Sequence, residues 1–138
     1  MSEQKPAYLL DSFALLAYLE GEHGGNRLQQ LFSLAQSGGC RLVMCLINLG
    51  EVLYITERER GEPMAKRVLA LIEQLPIDLL DASRDLMLDA AHVKANHALS
   101  YADAFAAAAA LRERATVLTG DPEFASVADL VTIEWIQK

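Results

Sequence analysis

Apolar positions along the chain follow two rhythms in turn. Short, nearly unbroken apolar runs at residues 7–10, 40–45, 77–80, 115–119 and 131–135 have the length and character of buried strands. Between them, apolar residues recur at helical spacing over 13–19, 26–36, 47–60, 62–74, 84–96 and 101–111. Punctuation falls where this reading needs it. Residues 21–25 form a polar turn, Gly38 and Gly39 stop the second helix, and Pro76 ends the fourth. Ser83 and Ser100 stand as N-caps, and Pro122 opens a further helix after the turn at Gly120 and Asp121. Strands alternating with helices predict an α/β fold with a parallel sheet covered on both faces. Asp78 within the 77–80 run puts that strand near an edge.

Length and composition narrow the picture. The chain of 138 residues suits one domain, 1–138, with a sizeable core. Its longest apolar run, 104–111, is far too short to span a membrane. Residues 1–6 lack the basic-then-apolar form of a signal peptide. Cys40 and Cys45 form no metal or redox motif and read as small hydrophobes, so a cytoplasmic, disulfide-free protein is expected. A net charge of −7 excludes a protein that coats nucleic acid through a basic surface. It leaves room for an enzyme that handles phosphodiesters through bound cations. The densest basic group is Arg58, Arg60, Lys66 and Arg67.

Four acids stand where a parallel sheet gathers its chemistry. Asp11 ends the first strand, Glu51 lies in the first turns after the second, and Asp121 ends the fourth. Strand C-termini and the helix N-termini that follow share one edge, so these three converge there. Asp103 begins the helix before the fourth strand. Simple topology sends it to the opposite edge unless that helix leans its start over the others. Each aspartate also has a structural reading, as an N-cap, turn or capping-box residue. Glu51 caps nothing, and with Ile47, Tyr54 and Ile55 it falls on one apolar helix face. Crowded carboxylates repel unless cations neutralise them. An all-oxygen set with no suitable His or Cys fits Mg²⁺ or Mn²⁺ rather than zinc.

Leu10–Ser12, Asn48–Val52, Tyr101–Ala104 and Leu118–Phe124 resemble, in order, the acidic motifs of PIN-domain ribonucleases, and the chain resembles their small VapC-type toxins. The resemblance implies a three-layer α/β/α sandwich of about five parallel strands in the order 3-2-1-4-5. It implies an Mg²⁺- or Mn²⁺-dependent endoribonuclease, a homodimer, and a cognate antitoxin as partner. Asp11, Glu51, Asp103 and Asp121 carry over as the catalytic, metal-binding acids, with the third brought to the same pocket as the rest. Ser12 and Thr119 match hydroxyl positions that hold waters near the metal. Phe13 departs from the asparagine of many relatives. Two other readings compete: a phosphatase with Asp11 as nucleophile, which wants a second Asp where Phe13 stands, and a non-catalytic binding module whose acids are only caps. Helices 47–75, with Tyr54, Ile55, Met64, Val68 and Leu71, offer the apolar surface for dimerisation and antitoxin capture.

Overall fold

The computed structural model describes residues 5–137; residues 1–4, on which the signal-peptide reading largely rests, lie outside it. Five strands, β1 (Ala7–Leu10), β2 (Arg41–Cys45), β3 (Asp78–Leu80), β4 (Thr116–Thr119) and β5 (Ile133–Trp135), form one sheet in the order β3-β2-β1-β4-β5. Every pairing is parallel. The helices are α1 (Ser12–Leu19), α2 (His23–Gln36), α3 (Leu46–Arg60), α4 (Glu62–Gln74), α5 (Arg84–Asn96) and α6 (Tyr101–Glu113), with a 3₁₀ helix at Pro122–Val127.

Alternation along the strands builds two cores. Leu9, Val43, Cys45 and Val117 point to one face, beneath α5, α6 and the 3₁₀ helix. Leu10, Leu42, Met44 and Leu118 point to the other, beneath α1 to α4. This is the expected α/β/α sandwich, with β3 at an edge.

The face beneath α6 is tight because the helix presents six consecutive small or planar side chains. Phe105 and Ala106 to Ala110 are all at most 5% exposed. Alanine is the best intrinsic helix former and loses no rotamer freedom on burial, so this helix can be buried all round at low cost. Its C-terminus turns into β4 through Arg114, which adopts the left-handed region at φ 52°.

Three local readings are corrected. Residues 23–25 are helical rather than turn, because α2 begins at His23. Gly24 and Gly25 are there for close approach: a Cβ on Gly24 would run into the Gln137 carbonyl, and one on Gly25 would lie 2.8 Å from the Tyr18 Cα. On α3 the residues facing the core are Asn48, Leu49, Val52 and Thr56. The face with Ile47 and Tyr54 looks outward instead, at 36% and 50% exposure, since α3 meets both α6 and α4 with its other side. The last strand starts at Ile133 rather than at residue 131, after a bend over 130–132.

Candidate active site at the C-terminal edge of the sheet

Asp11 follows β1 and caps α1, with Oδ1 accepting from the Ala14 amide at 2.9 Å. Its Oδ2 accepts from Thr119 Oγ1, the last residue of β4, at 2.5 Å. The same Thr119 oxygen accepts from the Asp121 amide at 3.0 Å. One hydroxyl thus ties the ends of two neighbouring strands and fixes both aspartates. Asp121 in turn caps the 3₁₀ helix, its Oδ1 accepting from the Glu123 amide. The cap readings therefore hold for Oδ1 of both Asp11 and Asp121, while Asp11 Oδ2 is bound by Thr119.

Glu51 sits one turn into α3, half-buried, and accepts from Ser12 Oγ at 2.6 Å. Asn48, fully buried one turn earlier, donates through Nδ2 to the Ala102 carbonyl at 3.1 Å. That bond pins the start of α6 to the start of α3 and sets where the next residue, Asp103, stands.

Asp103 is 4% exposed. Ser100 caps α6, its hydroxyl accepting from the Asp103 amide. The reciprocal half of a capping box is missing: Asp103 Oδ2 is buried and takes no hydrogen-bond partner among the described residues. Asp103 instead comes close to Asp121, one oxygen of each lying within 4.8 Å of the other. The topological expectation for this residue was wrong for a simple reason. A helix that feeds a parallel strand through a tight turn runs antiparallel to it. The start of α6 therefore lies at the C-terminal edge of β4, beside Asp121.

The electrostatics reflect the crowding. Burial pushes the Asp11 carboxyl up to about 7; the Thr119 and Ala14 hydrogen bonds oppose this, and the charges of Asp121 and Glu51 add to it. Burial, the close approach of Asp121, and the charges of Asp121, Asp11 and Glu51 push Asp103 up to about 8. All four acids thus lie within one another's electrostatic reach. Glu123 is a fifth acid that sequence reasoning left unassigned. One carboxylate oxygen from each of Asp103, Asp121 and Glu123 lies within 4.8 Å of the others. The signal was present, two residues past Asp121 in a motif already singled out, but an exposed glutamate after a proline looks like solvated charge.

This donor set fits a hard divalent cation. It is all oxygen, its oxygens are close enough to share one ion, and one of them is buried without a partner, a costly arrangement in an apolar setting. Ser12 and Thr119 spend their hydroxyl protons on Glu51 and Asp11, so both orient carboxylates directly. Of the basic group, Arg58 lies over the Tyr54 ring and Lys66 pairs with Glu62, while Arg60 and Arg67 line a groove beside α1.

The fold has known counterparts. In overall fold the chain is similar to VapBC2 from Rickettsia felis, solved with a DNA fragment of its promoter, at 17% identity and a TM-score of 0.73, covering 95% of this chain and 99% of that one. It is similar to VapC20 from Mycobacterium tuberculosis, described as a sarcin-ricin loop cleaving toxin, at 19% identity and TM-score 0.68, covering 91% and 96%. DNA-bound VapBC from Salmonella typhimurium aligns at 21% identity and TM-score 0.68, covering 96% and 98%. No curated protein matches the sequence. The sequence pattern of the PIN domain matches residues 8–130, a span that takes in all five acids and four of the five strands. With that match over most of its length, and with its acids gathered at the C-terminal edge of a 3-2-1-4-5 sheet, this chain belongs to the PIN domain family.

Proposed function

We propose that the protein is a divalent-metal-dependent endoribonuclease and the toxin of a toxin–antitoxin pair. The observation that carries this is the convergence of Asp11, Glu51, Asp103 and Asp121, with Asp103 held buried and one of its oxygens unpartnered. In this reading Asp103, Asp121 and Glu123, whose oxygens lie within 4.8 Å of one another, would hold Mg²⁺ or Mn²⁺, with Asp11 and Glu51 completing the site. When bound, the ion supplies charge neutralisation and Lewis-acid activation of water toward a phosphodiester. The chain's own part is positioning. Thr119 holds Asp11 and the Asp121 amide in one geometry, Ser12 holds Glu51, and Asn48 holds the turn that carries Asp103. VapC20, named as cleaving the sarcin-ricin loop, has the same fold and supports RNA as the substrate class.

Asp11 as a phosphatase nucleophile is disfavoured, because it is 1% exposed and both its oxygens already accept hydrogen bonds. The test is cleavage of RNA after metal removal. Activity should vanish in EDTA and return with excess Mg²⁺ or Mn²⁺; undiminished cleavage in EDTA sinks the proposal.

The partner belongs in the groove between α1, α3 and α4. Leu16, Leu19, Met64 and Leu71 give it an apolar lining with Glu59, Arg60 and Arg67 at its rim, around a volume of about 230 Å³. The VapBC structures are of toxin–antitoxin systems, which supports an antitoxin as its occupant, and exposed Tyr54 and Ile47 on α3 extend the apolar surface toward a homodimer. Val68 belongs to the core beneath this groove, so it does not probe docking. Leu71, 42% exposed, does. Leu71→Asp should leave the thermal midpoint within a few degrees of wild type and weaken capture of the co-expressed antitoxin by about tenfold or more, the scale of losing an apolar anchor. Unchanged capture in a titration would remove the groove from the interface. No helix among the described residues is long and apolar enough to cross a membrane.

A further inference from the structure

A second cleft lies between the helices that carry Ser12 and Glu51, about one turn from the acid cluster. On α1, Ser12, Leu16 and Glu20 follow one another at four-residue spacing; on α3, Glu51, Ile55 and Glu59 do the same. Residues so spaced share a helix face, each about 5 to 6 Å beyond the last. The Ser12–Glu51 hydrogen bond closes the head of the two rows. One turn below it lies a cleft of about 250 Å³ lined by Phe13, Leu16 and Ile55, with Glu20, Glu22 and Glu59 around it.

Phe13 is set in this wall rigidly. Its ring lies so close to Gly120 that a Cβ there would run into it, and the Ile136 carbonyl closes the same space at 2.7 Å. Gly120 immediately precedes Asp121, and Phe13 follows Asp11 by two residues. The aromatic ring is thus fixed to the same two strand ends that carry the acids.

The geometry points to a nucleobase subsite here, for the base next to the scissile phosphodiester of a single-stranded RNA. The inference rests on the nuclease reading and deepens it. Three features choose a base as the occupant. The volume is below that of pockets for drug-sized ligands, so it suits one planar ring system. Aromatic side chains stack bases whatever their identity. The rim carboxylates repel phosphate but accept from exocyclic amino groups, as Glu and Asp do from cytosine N4. The cleft therefore takes a base and turns away backbone, and it prefers cytosine, adenine or guanine to uracil, which has no amino group. Its distance of one helical turn from the carboxylates is the separation at which a nucleotide can place its phosphate on the acids and its base on Phe13.

The test uses short uridine oligoribonucleotides, each with a single cytidine, adenosine or guanosine, incubated with wild type and Mn²⁺, with cleavage positions mapped. Wild type should cut beside the amino-bearing base in preference to uridine steps. Phe13→Leu, which keeps the bulk against Gly120 and loses the aromatic face, should raise KM about tenfold with little change in kcat, the scale of one lost stacking contact. Phe13→Tyr should restore wild-type KM. Glu59→Gln, at the rim of the cleft, should narrow the base preference. If wild type cleaves without preference, or Phe13→Leu keeps both KM and preference, the subsite is overturned while the nuclease reading stands. If wild type cleaves none of the RNAs with either metal, that reading falls and the subsite with it. If Phe13→Leu leaves RNA kinetics unchanged but weakens binding of the antitoxin, the cleft is a protein site and the inference is wrong.

Discussion

Asp103→Asn should abolish RNA cleavage and, in EDTA at alkaline pH, make the protein more stable. The two effects have one origin. Asp103 is buried, its Oδ2 has no partner among the described residues, and burial, together with Asp121 and the neighbouring charges, holds its carboxyl at about 8. Its folded value lies above the ordinary 3.8, so the metal-free protein loses stability progressively as pH rises from that value to about 8, where the group ionises. Asparagine has the same shape, carries no charge and can donate to Asp121. In EDTA at pH 9 the variant should gain roughly 1–3 kcal/mol, the cost of an unsatisfied buried polar group; below the ordinary carboxylate value of 3.8, where Asp103 is protonated in the folded and the unfolded chain alike, the difference should shrink toward zero. Added Mg²⁺ reverses the order. Wild type gains the free energy of binding, which grows with the ratio of free ion to its Kd, and the variant gains less. Cleavage should fall about 10²-fold or more, as when a group that stabilises transition-state charge is removed. Chemical denaturation at two pH values, with EDTA and with Mg²⁺, separates this from a capping role. A mere cap would cost at most about 1 kcal/mol under every condition and leave activity intact.

The second large effect is expected at Thr119. Thr119→Val preserves shape and removes the hydroxyl that donates to Asp11 and accepts from the Asp121 amide. Thr119 is fully buried, so no solvent replaces either bond. The Thr119 bond holds the Asp11 carboxyl down against burial; without it the group rises further above its present value near 7. Sign follows from that. A further-raised folded value leaves the low-pH protein least affected and costs most above pH 7, where Asp11 must ionise without its donor. Stability should drop by about 1 kcal/mol at pH 5, from the orphaned amide alone, and by about 3 kcal/mol at pH 8.5. Equal losses at both pH values would show that the hydroxyl serves packing and the amide only. Thr119→Ser, which keeps the donor, should recover most of the pH 8.5 loss.

How much of this could be read in advance differs residue by residue. Asp11, Glu51 and Asp121 were legible because a parallel sheet sends every strand end, and every helix start after it, to one edge. Asp103 was legible only by resemblance; the topological argument failed because it neglected that a helix entering a strand runs against it. Ser12 and Thr119 were read as hydroxyls that hold waters near the metal, and spacing could not show that their protons go to carboxylates. Glu123 lay within a motif already singled out but was left unassigned, because its membership depends on the 3₁₀ path after Pro122, along which Phe124 and Val127 pack into the core. The cleft at Phe13 depends on Gly120 lying against a ring more than a hundred residues away, and no local pattern carries that.

The alanine-rich α6 has a consequence for the order of folding. A thirteen-residue segment with this composition forms helix more readily than any other in the chain, and its partner α5 is its neighbour in sequence. Such local structure forms early, and the Ala102–Asp103 turn forms with it. The acids it must meet come from residues 11, 51 and 121, so the like charges are brought together only as the sheet closes around them. The repulsion then falls on the late side of the transition state. On the metal-dependent reading, a bound cation should accordingly slow unfolding and leave the folding rate nearly unchanged, so that the loaded protein would outlast the empty one by persistence, with both reaching the native state at the same pace.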